Sequence, residues 1–166
     1  MNKTSYVFKD DGTYPNNILP LVLLKQAIQS MEPISPSTIE KVFHENNWVS
    51  SWRNGLFGFH HYHSTAHEVL GIYSGWVKAQ LGGPDGKTVI VEVGDVVIIP
   101  AGVAHKNIDQ SPDFNVVGAY PIGQVPDMKY GKPGERPNAD QNIQNIDRPE
   151  YDPVYGKAGP LMELWS

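Results

Sequence analysis

From Trp52 to about Pro121, apolar stretches of four to eight residues alternate with Gly, Pro, Asn or Asp, a pattern that predicts strands. The expected strands span roughly residues 56–63, 67–73, 76–82, 88–93, 96–99, 103–108 and 114–121. Gly82-Gly83-Pro84-Asp85-Gly86 supplies a hairpin loop between two of them. Short strands at this spacing predict an all-β sandwich or barrel. Upstream, Leu21-Val22-Leu23-Leu24 is too short for a helix and reads as a buried strand. One helix is expected over about residues 36–46, with Ser35 as cap, Pro36 at the first helical position and Ile39, Val42 and Phe43 at helical spacing. Residues 1–20 are polar and turn-rich and predict an arm lying over the core. Beyond Pro121 the periodicity is lost, and Tyr151, Tyr155, Leu161, Leu164 and Trp165 would anchor a C-terminal arm on the barrel or on a neighbouring subunit. The expected organisation is a single domain over 1–166, with its core at about 50–121, an N-terminal arm and helix over 1–49 and a C-terminal arm over 122–166.

Composition narrows the chemistry. A chain of 166 residues buries a core without disulfides or a structural metal. The absence of cysteine removes disulfide scaffolds, thiolate zinc sites, iron–sulfur clusters and cysteine nucleophiles. Lys plus Arg number 13 against 18 Asp plus Glu, with no basic run, so nucleic acid is not an expected partner. No apolar run approaches the roughly 18 residues of a membrane span, and no signal peptide opens the sequence, so a cytoplasmic protein without a membrane partner is expected. What remains is oxygen and imidazole: of six histidines, His60, His61, His63 and His67 fall within eight consecutive residues.

In an extended segment His61 and His63 point the same way, while His60 and Tyr62 point the other. Glu68, at the start of the next apolar strand, is placed to join the two imidazoles. His105, after the Pro100-Ala101-Gly102 turn, is the natural further donor. His67, next to Glu68, should face away from such a site, which leaves it a structural role or that of a nearby acid–base group. His60 should pack outward, and His44 on the helix carries no site argument. His63-x-x-x-His67-Glu68 has helical spacing but lacks either order of Glu used by metalloproteases.

The spacing over a longer stretch is more specific. Gly55, five residues, His61-x-His63, four residues, Glu68, six residues and Gly75 reproduce the first motif of the cupin family. Gly94, five residues, Pro100-x-Gly102, two residues and His105 reproduce most of the second. The chain therefore resembles a cupin over about residues 55–108. The resemblance implies a jelly-roll barrel, or double-stranded β-helix, holding one metal on His61, His63, Glu68 and His105. One departure is Asp109, where the second motif closes with Asn; here the Asn stands earlier, at Asn107. Asp10-Asp11-Gly12, Pro15-Asn16-Asn17 and Asp152-Pro153-Val154-Tyr155-Gly156 further resemble the bacterial YjlB-like cupins. Gly75 and the Gly94 and Gly102 turns have a reason of their own, since they sit where the chain must reverse between strands.

Three imidazoles and a carboxylate suit a divalent transition metal such as Fe, Mn, Ni or Zn. Four protein ligands on an octahedral ion leave two adjacent positions open for a chelating small molecule or for dioxygen. The expected function is a metal-dependent enzyme acting on a small organic molecule, with dioxygenase-type chemistry first. The alternatives are an isomerase or hydrolase of a sugar or small acid, and a non-catalytic ligand-binding cupin. Phe57, Phe59, Leu70 and Ile72 share parity with the ligands and are expected to line the pocket, with Asn107 on the face of His105. Lys78, Gln80, Tyr120 and Arg53 are further polar groups whose facing the sequence leaves open. Cupins pair through sheet edges and arms, so the resemblance implies a homodimer.

Overall fold

Leu21-Val22-Leu23-Leu24 and Val96-Val97-Ile98-Ile99 show no polar alternation, and a strand apolar at every position needs cover on both faces. The computed structural model of the chain, which describes residues 2–31 and 33–166, provides that cover. Its strands are β1 (Asn2–Phe8), β2 (Asn17–Lys25), β3 (Trp48–Asn54), β4 (Glu68–Ser74), β5 (Trp76–Leu81), β6 (Lys87–Glu92), β7 (Val96–Ile99), β8 (His105–Gln110) and β9 (Asn115–Pro121). The helices are α1 (Pro36–Glu45), α2 (Asn138–Asn145) and α3 (Pro160–Leu164). A six-stranded sheet runs β1-β2-β7-β4-β9-β3 and a three-stranded sheet runs β6-β5-β8, with every pair antiparallel. Leu23, Leu70, Ile72, Val97 and Ile99 of the larger sheet meet Val77, Ala79 and Leu81 of the smaller. On the opposite face of the larger sheet, Val22, Leu24, Val69, Val96 and Ile98 are covered by Ile39 and Phe43 of α1 and by Leu161 and Trp165. This two-sheet arrangement fits the all-β jelly roll that the sequence motifs imply.

Helix α1 forms where expected. The Ser35 side chain accepts the Thr38 amide at 3.2 Å, Pro36 occupies the first turn, and Ile39 and Phe43 bury one stripe. Gly75 takes φ +70° between β4 and β5, and a Cβ there would lie 2.3 Å from Ser111 Oγ.

Two expectations change, and that for the C-terminal arm becomes definite. The segment expected as a strand over 56–63 is irregular, held to its neighbours by isolated bridges at His61 and Tyr62 and by single backbone hydrogen bonds at Phe57 and His63. The strand lies upstream instead, as β3, where a register shift between Val49 and Trp52 and a φ of +56° at Ser50 break the alternation that would have announced it. The N-terminal arm is largely sheet, since β1 pairs with β2 and β2 with β7. The C-terminal arm closes on the barrel: Leu161 and Trp165 are buried, and Trp165 Nε1 donates to Pro20 O at 2.8 Å. Among the described residues no helix is long and apolar enough to cross a membrane.

Candidate metal centre

Glu68 opens β4 opposite Ile99 and shares the inner face with Leu70 and Ile72. His105 opens β8 opposite Leu81. His61 and His63 belong to no strand, yet the segment is held extended from two sides. His61 exchanges backbone hydrogen bonds with His105 at 3.2 and 2.9 Å, and Tyr62 exchanges a pair with Lys129 at 2.9 Å each. The alternation therefore survives. Both imidazoles turn toward Glu68, while Tyr62 turns away into a cluster with Tyr14, Ala104 and Ala139.

One ligand atom from each of His63, Glu68 and His105 lies within 4.8 Å of the other two. Glu68 Oε1 is 3.4 Å from His63 Nε2 and 3.3 Å from His105 Nε2. The His61 ring stands beside this trio, outside the 4.8 Å group, with its centroid 4.1 Å from that of His105 and 6.1 Å from that of His63. All four side chains are buried. Each imidazole sets Nδ1 against a backbone carbonyl: His61 on Phe59 O at 2.9 Å, His63 on Asp127 O at 2.5 Å and His105 on Val103 O at 3.0 Å. A carbonyl can only accept, so Nδ1 carries the proton, and a neutral ring then presents a bare Nε2 lone pair. His105 Nε2 is fully buried and makes no hydrogen bond.

The electrostatics agree. Burial, aided by His105, pushes His61 down to about 3. Burial pulls on His63 in the same direction, but Glu68 and the Asp127 carbonyl outweigh it and leave His63 above its ordinary value. Burial would raise Glu68, yet His63 and His105 hold it well below the usual carboxylate range. The cluster favours a positive charge at its centre.

It opens into a cavity of about 370 Å³. Trp52, Leu56, Phe57 and Met128 form apolar wall, and Arg53, Gln110 and Tyr120 add polar groups. Trp52 Nε1 donates to Tyr120 Oη at 2.8 Å, and burial together with nearby Glu68 raises the Tyr120 phenol. Arg53 reaches back to Glu40 of α1, with Nη2 2.6 Å from Oε1.

Several expected pocket residues stand elsewhere. Phe57 does line the cavity, at its mouth and 50% exposed, but Phe59, stacked on it at 5.0 Å and 44% exposed, does not, because residues 58–60 are not paired as a regular strand that would impose alternation. Leu70 and Ile72 do face inward, but they line a separate apolar void of about 20 Å³ that His105 also borders. Asn107 does not line the cavity; its Nδ2 donates to Leu56 O at 3.3 Å and to Gln110 Oε1 at 2.7 Å, fastening the loop that does. The sequence departure at Asp109 coincides with a bulge, since Lys78 pairs with Asp109 and Ala79 with Asn107, leaving Ile108 out. That bulge lies downstream of His105 and leaves it in place.

His67 faces away from the cluster and does not reach the cavity. It is 1% exposed, its ring lies 4.7 Å from that of Trp165, and burial pushes it down to about 4. His60 is half-buried against Tyr14, with ring centroids 5.4 Å apart. Gln80 turns to the hairpin, its Nε2 donating to Gly83 O at 2.9 Å, and neither it nor Lys78 lines the cavity. Sequence reasoning missed Asp127. Besides the carbonyl under His63, it accepts the Ser64 amide at 2.6 Å and the Ser64 hydroxyl, so a residue of the aperiodic tail orients a motif histidine.

No protein-family model matches the chain. It is 42% identical over 162 residues to the uncharacterized protein YjlB of Bacillus subtilis (strain 168), which covers 97% of this chain and 95% of that protein. Among solved structures, a DUF861 family protein from Thermotoga maritima is 25% identical with a TM-score of 0.35, covering 59% of this chain and 93% of that one. Acireductone dioxygenase from Bacillus anthracis, with a cadmium ion in its active centre, is 21% identical with a TM-score of 0.40, covering 55% of this chain and 62% of that one. At 42% identity with near-complete coverage of YjlB, the chain belongs to the YjlB family of cupins.

Proposed function

We propose that this protein is a mononuclear metal enzyme, in which His61, His63, Glu68 and His105 hold one divalent transition ion, Fe, Mn, Ni or Zn, at the floor of the cavity. One observation carries the reading. His63 and His105 present Nε2 to a buried carboxylate, His61 stands beside them, and all three rings set Nδ1 against a carbonyl. Lone pairs and a negative charge facing one another in a buried site repel unless a cation lies between them. The donors are nitrogen and oxygen without sulfur, which suits a borderline ion. Bound there, such an ion supplies Lewis acidity and, if ferrous, the redox chemistry of an oxygenase.

The chain's own residues do the rest. The carbonyls of Phe59, Val103 and Asp127 fix the three tautomers and ring orientations. Trp52, Leu56, Phe57 and Met128 exclude water from around a small, partly apolar substrate, and a cavity of about 370 Å³ sets its size. Tyr120, whose hydroxyl accepts from Trp52, keeps its own proton for a hydrogen bond toward the Glu68 side of the site. Dioxygenase-type turnover is the first reading. Iron-loaded protein should consume oxygen in the presence of one member of a panel of small diols, thiols, keto acids and sugar acids, and Tyr120→Phe should slow that consumption. Turnover of a panel member by zinc- or manganese-loaded protein without oxygen uptake would replace it with isomerase or hydrolase chemistry. A homodimer in the cytoplasm completes the proposal, with the outer edge of β1 as the joining surface; a monomer by light scattering would remove that part.

A further inference from the structure

Asparagine followed by glycine occurs once in the chain, at Asn54-Gly55; every other asparagine precedes a residue that carries a side chain. The pair stands where β3 ends, since Asn54 makes the last pairing of that strand, with Val116 of β9. β3 is an edge of the six-stranded sheet, and Asn54 is exposed. It also lines the cavity of the metal cluster, beside Arg53, Leu56 and Phe57.

The local geometry turns the asparagine side chain onto the next amide. Gly55 N–H donates to Asn54 Oδ1 at 2.8 Å, which brings the side-chain carbonyl, and with it Cγ, against the Gly55 nitrogen. Nothing lies within 4 Å of the place a Gly55 Cβ would occupy, so the approach is open and glycine leaves the backbone free to make it. The two Asp-Gly pairs are arranged differently. Gly12 N donates to Asp10 Oδ1 at 2.8 Å rather than to Asp11, and Gly86 N donates to Gly83 O at 3.0 Å rather than to Asp85. Asn138 is followed by the small Ala139, but Ala139 N is taken by Glu135 O at 3.0 Å.

We propose that Asn54 is a site of spontaneous covalent modification, deamidating through a cyclic imide and so adding a carboxylate to the cavity wall. Hydroxide takes the Gly55 N–H proton, and the nitrogen attacks Asn54 Cγ. The bond between Gly55 N and Cγ forms, the Cγ–Nδ2 bond breaks, and Nδ2 leaves as ammonia with a proton from water, which regenerates the hydroxide. Water then opens the five-membered ring. Opening at Cγ leaves an aspartate side chain at position 54, and opening at the main-chain carbonyl leaves isoaspartate, with the main chain rerouted through Cβ. The net change is hydrolysis of one amide to a carboxylate and ammonium, without oxidant or reductant. The isoaspartate form also lengthens the main chain just before Leu56 and Phe57, whose carbonyls are tied to Asn107 at 3.3 and 2.9 Å. The reacting atoms belong to Asn54 and Gly55 alone, so the chemistry is independent of the metal reading.

The test holds the folded, full-length protein for days at mildly alkaline pH and body temperature, with fresh protein as the baseline. The mass should rise by about 1 Da as the amide nitrogen gives way to oxygen. The rise should appear first in the tryptic peptide Asn54–Lys78, which contains no other amide side chain. Isoaspartate should form at that position, read by an isoaspartyl methyltransferase, since direct hydrolysis of the side chain forms none. Gly55→Ala should slow conversion at least about tenfold, although the space for its Cβ is open and circular dichroism should show the fold kept. Asn54→Gln, which would need a larger ring, should abolish it. The proposal is overturned if the wild-type peptide keeps its mass, if other asparagines convert first, if aspartate forms without isoaspartate, or if Gly55→Ala converts as fast as the wild type.

Discussion

Asp152→Ala is expected to release the C-terminal arm. The Asp152 carboxylate is fully buried and accepts three backbone amides, Val154 at 2.8 Å and Tyr155 at 3.0 Å on Oδ1 and Leu161 at 3.2 Å on Oδ2. Its backbone pairs in both directions with Gly156 at 3.0 Å. One side chain thus closes the loop and satisfies a first-turn amide of α3, whose own cap position, Gly159, offers no side chain. Alanine strands all three donors. A buried unmade hydrogen bond costs about 1–3 kcal/mol, and water can reach the exposed Tyr155 but not Leu161, so the loss should total about 3 kcal/mol. That is a large share of the roughly 5–15 kcal/mol that holds a domain folded. With a urea slope of about 2 kcal/mol/M, the midpoint should fall by about 1.5 M. Asp152→Asn keeps Oδ1 and turns an N–H group toward Leu161, so its loss should be about half as large. Urea unfolding followed by circular dichroism measures both, and proteolysis at Lys157 reports the opening of the arm. A loss below about 0.5 kcal/mol for alanine, or equal losses for the two variants, would refute this account of the arm.

Other consequences test the cavity wall and the buried histidines. Gly118 of β9 pairs with Trp52 and Leu70, and a Cβ there would lie 2.2 Å from the Trp52 indole. Gly118→Ala should therefore displace Trp52, break its bond to Tyr120 and cost about 1–3 kcal/mol, read as a shift in tryptophan emission together with a lower urea midpoint; unchanged emission would refute it. His67 takes up a proton near pH 4 when folded and near 6.5 when unfolded, so its contribution is complete above pH 6.5 and is lost as the pH falls toward 4, about 3 kcal/mol in all. The slope of stability against pH in that window should be shallower by about one proton in His67→Gln, and an unchanged slope would show that the ring is not held neutral.

Much of this was legible because alternation survives wherever a strand is regular. β4 to β9 follow their apolar runs and turn glycines, and α1 follows Ser35, Pro36 and its buried stripe. His61 and His63 face together although they form no strand, because His105 on one side and Lys129 on the other hold them extended. The same parity failed at Phe59, which does not line the cavity and stacks on Phe57 at its rim. β3 was hidden by the bulge around Ser50. β1 was hidden by its position at the sheet edge, where Asn2, Lys3, Thr4 and Ser5 stay exposed and carry no apolar period. Parity turned His67 away from the cluster correctly, but its burial under Trp165 depends on a contact between distant parts of the chain. The hold of Asp127 on His63 is of the same kind, and no local spacing announces it. Asp152, within a motif shared with the YjlB-like cupins, has its physical reason in three backbone amides that only the folded arm brings together.

The claim that a cation belongs among His61, His63, Glu68 and His105 is tested most directly by elemental analysis of folded protein purified without added metal. About one transition-metal ion per chain is predicted for the wild type, with the ion lost from His63→Ala and from His105→Ala while circular dichroism shows both still folded. Folded wild type without a transition metal, or an undiminished metal content in His63→Ala, would contradict it.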